Sequence, residues 1–242
     1  MWAELPTGTG LFQVSTSAAL AVGVFEGAAT IGELTKVGDF GLGTFDGLDG
    51  ELILLDGKCF QAGSDGVVER AADDWLTPFA VVTGFTAEID EKVDESGSLV
   101  DLTRRIDQAR ASDNLFYSIR VDGRFGRLSM RAAMRAKPGE GLVEATRHQS
   151  EFETHDIKGT LVGFWSPVWS ETVSVPGYHF HFIADDRSMG GHVFAMSGQD
   201  LSLKVTSHRE FRLLLPGTTG FLGAVLTGDH RSELHEAETG GV

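Results

Sequence analysis

Residues 127–135 read Arg-Leu-Ser-Met-Arg-Ala-Ala-Met-Arg, and this alternation indicates how the chain folds. Its apolar side chains recur at every second position: Leu128, Met130, Ala132 and Met134. Polar side chains occupy positions of the opposite parity: Arg127, Ser129, Arg131 and Arg135. Because successive side chains of a strand point to opposite faces, a period of two predicts a β-strand with one buried face and one cationic face. We extend this predicted strand over Leu115 to Arg135.

Strand signals also dominate the rest of the chain. Asp-Gly pairs favour tight turns because glycine accepts a positive φ, and five of them occur, four between Asp46 and Gly66 and one at Asp122-Gly123. They predict a hairpin-rich segment from Phe40 to Val68. Later apolar runs are also predicted strands: Leu161 to Trp165, Tyr178 to Ala184, Val193 to Met196, Leu201 to Val205 and Phe211 to Leu215.

Helix signals are fewer. Cap residues predict three helices: one capped by Ser17 and ending at Gly27, one with the capping-box pair Thr30 and Glu33 and ending at Gly38, and one over Leu99 to Ala111 capped by Ser98. Few helices and many strands predict the α+β class, with two subdomains on mainly antiparallel or mixed β-sheets. The polar stretch His148 to Lys158 is the expected boundary, which gives subdomains 1–155 and 156–242.

Charge and cysteine content narrow the range of partners and compartments. The 242 residues include 35 acidic and 20 basic side chains, a net charge of −15 that disfavours nucleic acids and anionic membranes as partners. The single Cys59 cannot form an intramolecular disulfide, and we expect it to be a small buried apolar residue. The first basic residue is Lys36, so no positive region precedes the apolar stretch Ala18 to Phe25. We therefore expect a soluble, cytoplasmic protein.

The histidines of residues 178–192 form the clearest chemical pattern. In a strand, His179 and His181 project from the same face, while Phe180 and Phe182 face the other way. A polar loop that ends in Gly-Gly can return the chain and bring His192 beside them. Three neutral nitrogen donors suit Zn²⁺, and a three-residue site leaves a position open for substrate or water. The remaining histidines are interpreted as surface or core residues: His148, His155, His208, His230 and His235.

Basic residues are concentrated in one segment of this acidic chain. Nine of the 20 lie between Arg104 and Lys137. Most of them are expected on solvated faces, but one arginine could bind a carboxylate through two parallel hydrogen bonds. The pattern by itself does not say which.

Short motifs along the chain form a further pattern. They are Thr30-Ile-Gly-Glu-Leu34, Gly38-Asp-Phe-Gly-Leu-Gly-Thr-Phe45, Leu48-Asp-Gly-Glu-Leu-Ile53, Leu55-Asp-Gly-Lys58, Tyr117-Ser-Ile-Arg-Val-Asp-Gly123, Gly159-Thr-Leu-Val-Gly-Phe164, Pro176-Gly-Tyr-His-Phe-His-Phe-Ile183 and Gly190-Gly-His-Val193. In this order, and over nearly the whole chain, they resemble the acetolactate decarboxylase family.

The resemblance implies a fold, a set of site residues and an assembly. It implies two α+β subdomains, with the metal on the C-terminal sheet and a homodimer formed through the N-terminal sheets. The implied site residues are the zinc ligands His179, His181 and His192 and the catalytic residues Thr44, Glu51, Arg131 and Glu238. For the C-terminal glutamate, Glu236 stays an alternative because the tail aligns loosely.

The implied activity is the decarboxylation of 2-acetolactate, and its ethyl homologue 2-aceto-2-hydroxybutanoate is an expected second substrate. The products would be (R)-acetoin and CO₂, in the acetoin and 2,3-butanediol pathway. Zn²⁺ would bind the keto and hydroxyl oxygens and stabilise the enediolate. Two alternatives stay open from the residues alone. One is a three-histidine hydrolase or oxygenase on a β scaffold, and the other is a silent metal-binding protein.

Overall fold

A computed structural model describes residues 10–228 and Leu234. The strands are β1 (Leu11–Val14), β2 (Ala29–Thr30), β3 (Phe40–Thr44), β4 (Glu51–Leu55), β5 (Lys58–Ala62), β6 (Val68–Arg70), β7 (Leu76–Thr77), β8 (Phe79–Thr83), β9 (Ile89–Ser96), β10 (Phe116–Ala132), β11 (Ser150–Ser166), β12 (Gly177–Ala184), β13 (Gly190–His208) and β14 (Phe211–Leu214). The helices are α1 (Ser17–Ala21), α2 (Ile31–Val37), α3 (Leu99–Ala109), α4 (Leu142–Thr146) and α5 (Thr219–Gly223), with a 3₁₀ turn at Val168–Ser170.

The first large sheet has seven strands in the order β14-β1-β8-β3-β4-β5-β6. Strands β3 to β6 pair as successive antiparallel hairpins, which confirms the hairpin-rich segment. Asp56 and Gly57 both have positive φ in the two-residue turn between β4 and β5. The prediction of a tight turn at Asp122-Gly123 is wrong. Both residues lie inside β10, where they pair with β11 and where the register between β10 and β13 shifts.

The second large sheet is built from long strands. Strands β10 to β13 pair in sequence, and a further pairing of β10 with β13 closes them into a ring. Strand β9 pairs with residues 198–205 of β13, beyond the short pairing of β13 with β12. The mainly antiparallel α+β class is therefore confirmed.

The boundary expected at residues 155/156 does not separate the two sheets. That position lies inside β11, and most of the stretch His148 to Lys158 is paired with β10. Its polar residues belong to a strand rather than a linker, because ion pairs such as Arg124 with Asp156 connect neighbouring strands there. The first sheet uses residues 11–83 and β14, and the second uses residues 89–208.

Three apolar clusters hold these layers together. One lies between the two sheets and joins Leu42 and Ile53 to Val162 and Ile183. A second fills the ring and the space under α3, and a third lies between α2 and the first sheet. Burial of these side chains supplies the main driving force for joining the sheets.

Two of the three predicted helices begin as expected. Thr30 and Glu33 form the capping box of α2, and Ser98 caps α3, which ends at Ala109. The first helix was placed wrongly: Thr16 is its cap, and the helix ends at Ala21. The chain turns there because Gly23 adopts a φ of 86°. No described helix has both the length and the apolar character needed to cross a membrane.

Candidate metal centre and its pocket

The three predicted ligand histidines lie on adjacent strands. His179 and His181 are two residues apart on β12 and share a face, while Phe180 and Phe182 enter the apolar cluster of the ring. The chain turns between Ala184 and Gly190, and His192 on β13 lies directly opposite His181 in the antiparallel register. Strand parity and one tight return therefore bring the three imidazoles together.

The ring nitrogens of this cluster are close to one another. Nε2 of His179 lies 3.0 Å from Nε2 of His181 and 3.1 Å from Nδ1 of His192. One ligand atom from each residue can be chosen so that all lie within 4.8 Å of one another. His181 Nδ1 lies 2.9 Å from the Leu52 carbonyl oxygen and donates to it, which leaves the lone pair of Nε2 directed into the cluster.

The protein environment favours the neutral imidazoles that metal binding requires. Burial and the positive charge of Arg131 lower the pKa of His179 to about 3. Burial is also the main cause that lowers the pKa of His181, and the hydrogen bond to Leu52 opposes it only in part. Metal ions bind the unprotonated ring, so His179 and His181 are in their binding form near neutral pH.

Glu51 comes from the other sheet and reaches the same cluster. It is the first residue of β4, and its Oε2 lies 3.3 Å from Nε2 of His181. Its Oε1 accepts a hydrogen bond of 3.0 Å from the backbone N–H of Ala133. Gly50 N–H donates in return to the Ala133 carbonyl, so the β3–β4 turn is held against the end of β10.

Arg131 lies on β10, opposite His192 in the register of β10 and β13. Its Nη2 is 3.3 Å from Nε2 of His192, and only 3% of the residue is exposed. The strand predicted over Leu115 to Arg135 spans Phe116–Ala132. The prediction of a solvent-exposed cationic face is wrong at Arg131, because this residue is buried. The face that carries Arg131 packs toward the first sheet, whereas Arg127 is solvent-exposed and pairs with Glu153.

Thr44 lies at the end of β3 in the wall of the pocket. Its hydroxyl donates to the Gly50 carbonyl at 2.8 Å, so this oxygen can act toward a ligand only as an acceptor. The C-terminal candidates Glu238 and Glu236 lie outside the described residues, as do His230 and His235. Cys59 is buried, as expected, and burial raises the pKa of its thiol to about 12.

A pocket opens between the two sheets beside the histidines. Glu51, Arg131, His179 and His192 line it, and its remaining walls are largely apolar. Sequence reasoning missed those walls, which come from α1, α4 and the loop before β12: Leu20, Leu142 and Val175. It also missed the Leu52 carbonyl and the Ala133 N–H, because a backbone group that contacts another sheet leaves no signal in the residue pattern.

The donor set fits a metal ion. Three neutral nitrogens on rigid strands match a catalytic site for zinc or a similar ion, and His179 is only partly buried on the pocket side. An arginine and a glutamate lie next to this cluster in the same pocket. Fold and site thus define a β-rich protein in which three histidines that could hold a metal ion lie beside a pocket.

Comparison with known proteins identifies the family. The family model for Alpha-acetolactate decarboxylase matches residues 11–228. The alpha-acetolactate decarboxylase of Methanosarcina mazei is 41% identical over 231 residues, which covers 94% of this chain and 80% of the relative. That of Lactococcus lactis subsp. cremoris is 45% identical over 185 residues, covering 76% of this chain and 78% of the relative.

A solved structure gives the same result. The crystal structure of alpha-acetolactate decarboxylase from Bacillus subtilis strain 168 superposes with a TM-score of 0.91 at 36% identity, covering 95% of this chain and 99% of the other. The chain belongs to the alpha-acetolactate decarboxylase family and is an enzyme of that family. The resemblance stated from the sequence motifs is confirmed.

Proposed function

We propose that this enzyme decarboxylates (S)-2-acetolactate to (R)-acetoin and CO₂ with the help of Zn²⁺ bound by His179, His181 and His192. The observation that carries the proposal is the meeting of three histidines with Glu51 and Arg131 in one pocket. The substrate is a β-keto acid, and loss of its carboxylate leaves an enediolate that must be stabilised and then protonated. When bound, Zn²⁺ supplies a Lewis acid for that negative charge.

Arg131 holds the carboxylate of the substrate before it departs. The guanidinium is buried, and in this low-dielectric setting its paired N–H groups bind a carboxylate strongly and with a defined orientation. A single orientation of the carboxylate places the departing bond on one face of the nascent enediolate. Protonation from one fixed side then gives a product of one hand.

Glu51 moves the protons. Its Oε1 is occupied by the Ala133 N–H, so Oε2 is the oxygen that accepts the proton of the substrate hydroxyl or delivers one to carbon. Toward a bound ligand Thr44 acts only as a hydrogen-bond acceptor, because its own proton is directed to the Gly50 carbonyl. We include Glu238 in the proposed catalytic set, with Glu236 as its alternative.

The remaining parts of the proposal concern context. We propose a cytoplasmic homodimer that acts in acetoin and 2,3-butanediol formation. The substrates are 2-acetolactate and, in the same pocket, 2-aceto-2-hydroxybutanoate. The likeness to named decarboxylases supports the substrate class, and the nitrogen donor set supports zinc.

The test is a metal-replete assay with racemic acetolactate in which acetoin, its chirality and CO₂ are all measured. We expect (R)-acetoin, loss of activity on removal of the metal with a chelator, and recovery with Zn²⁺. Esterase activity or oxygen uptake without acetoin would instead favour the hydrolase or oxygenase alternative.

The double variant His179→Ala, His181→Ala removes two of three ligands. We expect loss of bound zinc and at least a 1,000-fold drop in acetoin formation, on the order of the several kcal/mol that a Lewis acid supplies. His155→Ala is the matched control, because this histidine is exposed and pairs with Glu153 on another part of the sheet. Full activity in the double variant would refute the proposed function.

A further inference from the structure

Most polar side chains that line the pocket already have hydrogen-bond partners. Thr44 donates to Gly50, Glu51 accepts from Ala133, and the hydroxyl of Thr146 donates to the Val143 carbonyl at 3.2 Å. Gln149 differs from them. Its side chain lines the pocket and is half-buried, and its carboxamide has no hydrogen-bond partner among residues 10–228 and Leu234. An amide at this place is available to a ligand.

Gln149 and Arg131 line the same pocket. In the antiparallel pair of β10 and β11, Arg131 lies opposite Glu151. Gln149 comes two residues before Glu151, in the turn between α4 and β11, where its backbone N–H donates to the Thr146 carbonyl. On its other side, Arg131 lies opposite His192 of β13. A ligand in this pocket can therefore contact both the guanidinium of Arg131 and the amide of Gln149.

We infer that Gln149 is a substrate-binding residue whose side-chain N–H donates to the substrate carboxylate beside Arg131. The inference rests on the proposed function, in which the keto and hydroxyl oxygens lie at the histidine cluster. The carboxylate is then held by Arg131, in the pocket that Gln149 also lines. A carboxylate only accepts hydrogen bonds, so it matches the two N–H groups of an amide. The amide is also neutral, so it binds the anion without competing with Glu51 for protons.

Two non-reacting compounds test which group Gln149 contacts. The first is 2,3-dihydroxy-2-methylbutanoate, which keeps the carboxylate but lacks the ketone needed for decarboxylation. The second is 2-methylbutane-1,2,3-triol, in which a CH₂OH group replaces the carboxylate. Calorimetric titration of the zinc-loaded protein measures both affinities. In Gln149→Leu we expect the carboxylate compound to bind about tenfold more weakly, a loss typical of a hydrogen bond to a charged group. Triol affinity should change less than twofold.

The variant Gln149→Glu replaces the donor with a second carboxylate of the same shape. It should weaken binding of the carboxylate compound more than Gln149→Leu does, because like charges repel. Ser150→Glu is the matched control, since it adds the same charge one residue further along, at the first residue of β11, which does not line the pocket. We expect this control to bind both compounds as the wild type does.

The outcomes separate this inference from the proposed function. Equal weakening of acid and triol, or unchanged binding of the acid in Gln149→Leu, would overturn the role of Gln149 even if acetoin forms normally. Absence of acetoin from the wild-type enzyme would overturn the proposed function itself. In steady-state assays with acetolactate, we expect Gln149→Leu to raise KM about tenfold and to change kcat by less than threefold.

Discussion

Strand β12 carries two polar clusters on its two faces, and they differ in how their polar atoms are arranged. On one face His179 and His181 join His192 beside an open pocket. On the other face Tyr178 lies against Trp165 and the guanidinium of Arg110, which is 3.7 Å from the centroid of the Trp165 ring. We refer to the first as the histidine cluster and to the second, formed by Arg110, Trp165 and Tyr178, as the arginine cluster.

The charge of the arginine cluster is balanced by its own chain. Arg110 pairs with Asp107 and Asp113, and the Tyr178 hydroxyl donates to Asp107 at 2.7 Å. Its hydrogen bonding is incomplete among the described residues, because Nε and Nη1 of Arg110 and Nε1 of Trp165 are buried without a partner. The histidine cluster instead brings one ring nitrogen from each of three residues within 4.8 Å of one another, an arrangement that could hold a metal ion. The difference teaches that buried polar groups indicate a ligand site where their donor atoms converge on one position, and not simply where hydrogen bonds are missing.

Among single substitutions, Glu51→Gln should have the largest effect on activity. The glutamine keeps an oxygen for the Ala133 N–H but cannot exchange a proton, so kcat should fall about 100- to 10,000-fold, the range for a lost acid–base group. Bound zinc, measured by atomic absorption, should remain at the wild-type level. A kcat within threefold of the wild-type value would remove Glu51 from the proposed mechanism.

Arg110→Ala should have the next largest effect, and it should lower stability without lowering activity. Only 3% of the Arg110 side chain is exposed, and its loss removes a buried cation–π contact together with two ion pairs. We expect the free energy of unfolding to fall by about 2 kcal/mol, measured by urea titration. Acetoin formation at 25 °C should stay within twofold of the wild-type rate.

Arg104→Ala is the control for that experiment. Arg104 lies on α3, which ends one residue before Arg110, and pairs with Asp101, but 70% of its side chain is exposed, so its removal should leave stability unchanged. If Arg110→Ala abolished activity while leaving stability unchanged, the arginine cluster would be functional and the comparison would fail.

Tyr178→Phe should have the smallest effect. It removes one hydrogen bond to Asp107, which is worth about 1 kcal/mol of unfolding free energy. Burial, reinforced by Asp107, raises the pKa of Tyr178, so the hydroxyl stays a protonated donor throughout the neutral range. Stability should therefore show the same difference between variant and wild type at pH 6 and pH 8. A large loss of activity would indicate that Tyr178 positions His179 next to it.

The local sequence pattern determined much of the secondary structure of this protein. The period of two at residues 178–182 sets both faces of β12, and Asp-Gly turns set the hairpins of the first sheet. The capping box of α2 could also be predicted from the sequence, because a cap depends on residues three positions apart. Such features are decided by neighbours in the chain, so the residue order alone contains them. The resemblance of the short motifs to a known family also predicted the family of this chain and a set of site residues.

Tertiary structure alone decided which of these residues meet. Leu52 and His181 are 129 residues apart, and their contact exists only because the two sheets pack face to face. The same packing buries Arg131 and leaves Arg127 in solvent, although the two have the same parity in the sequence. Gln149 likewise reaches the pocket from the turn between α4 and β11, although it is distant in the sequence from Glu51. Contacts of this kind depend on long-range packing and register, which no local alternation specifies.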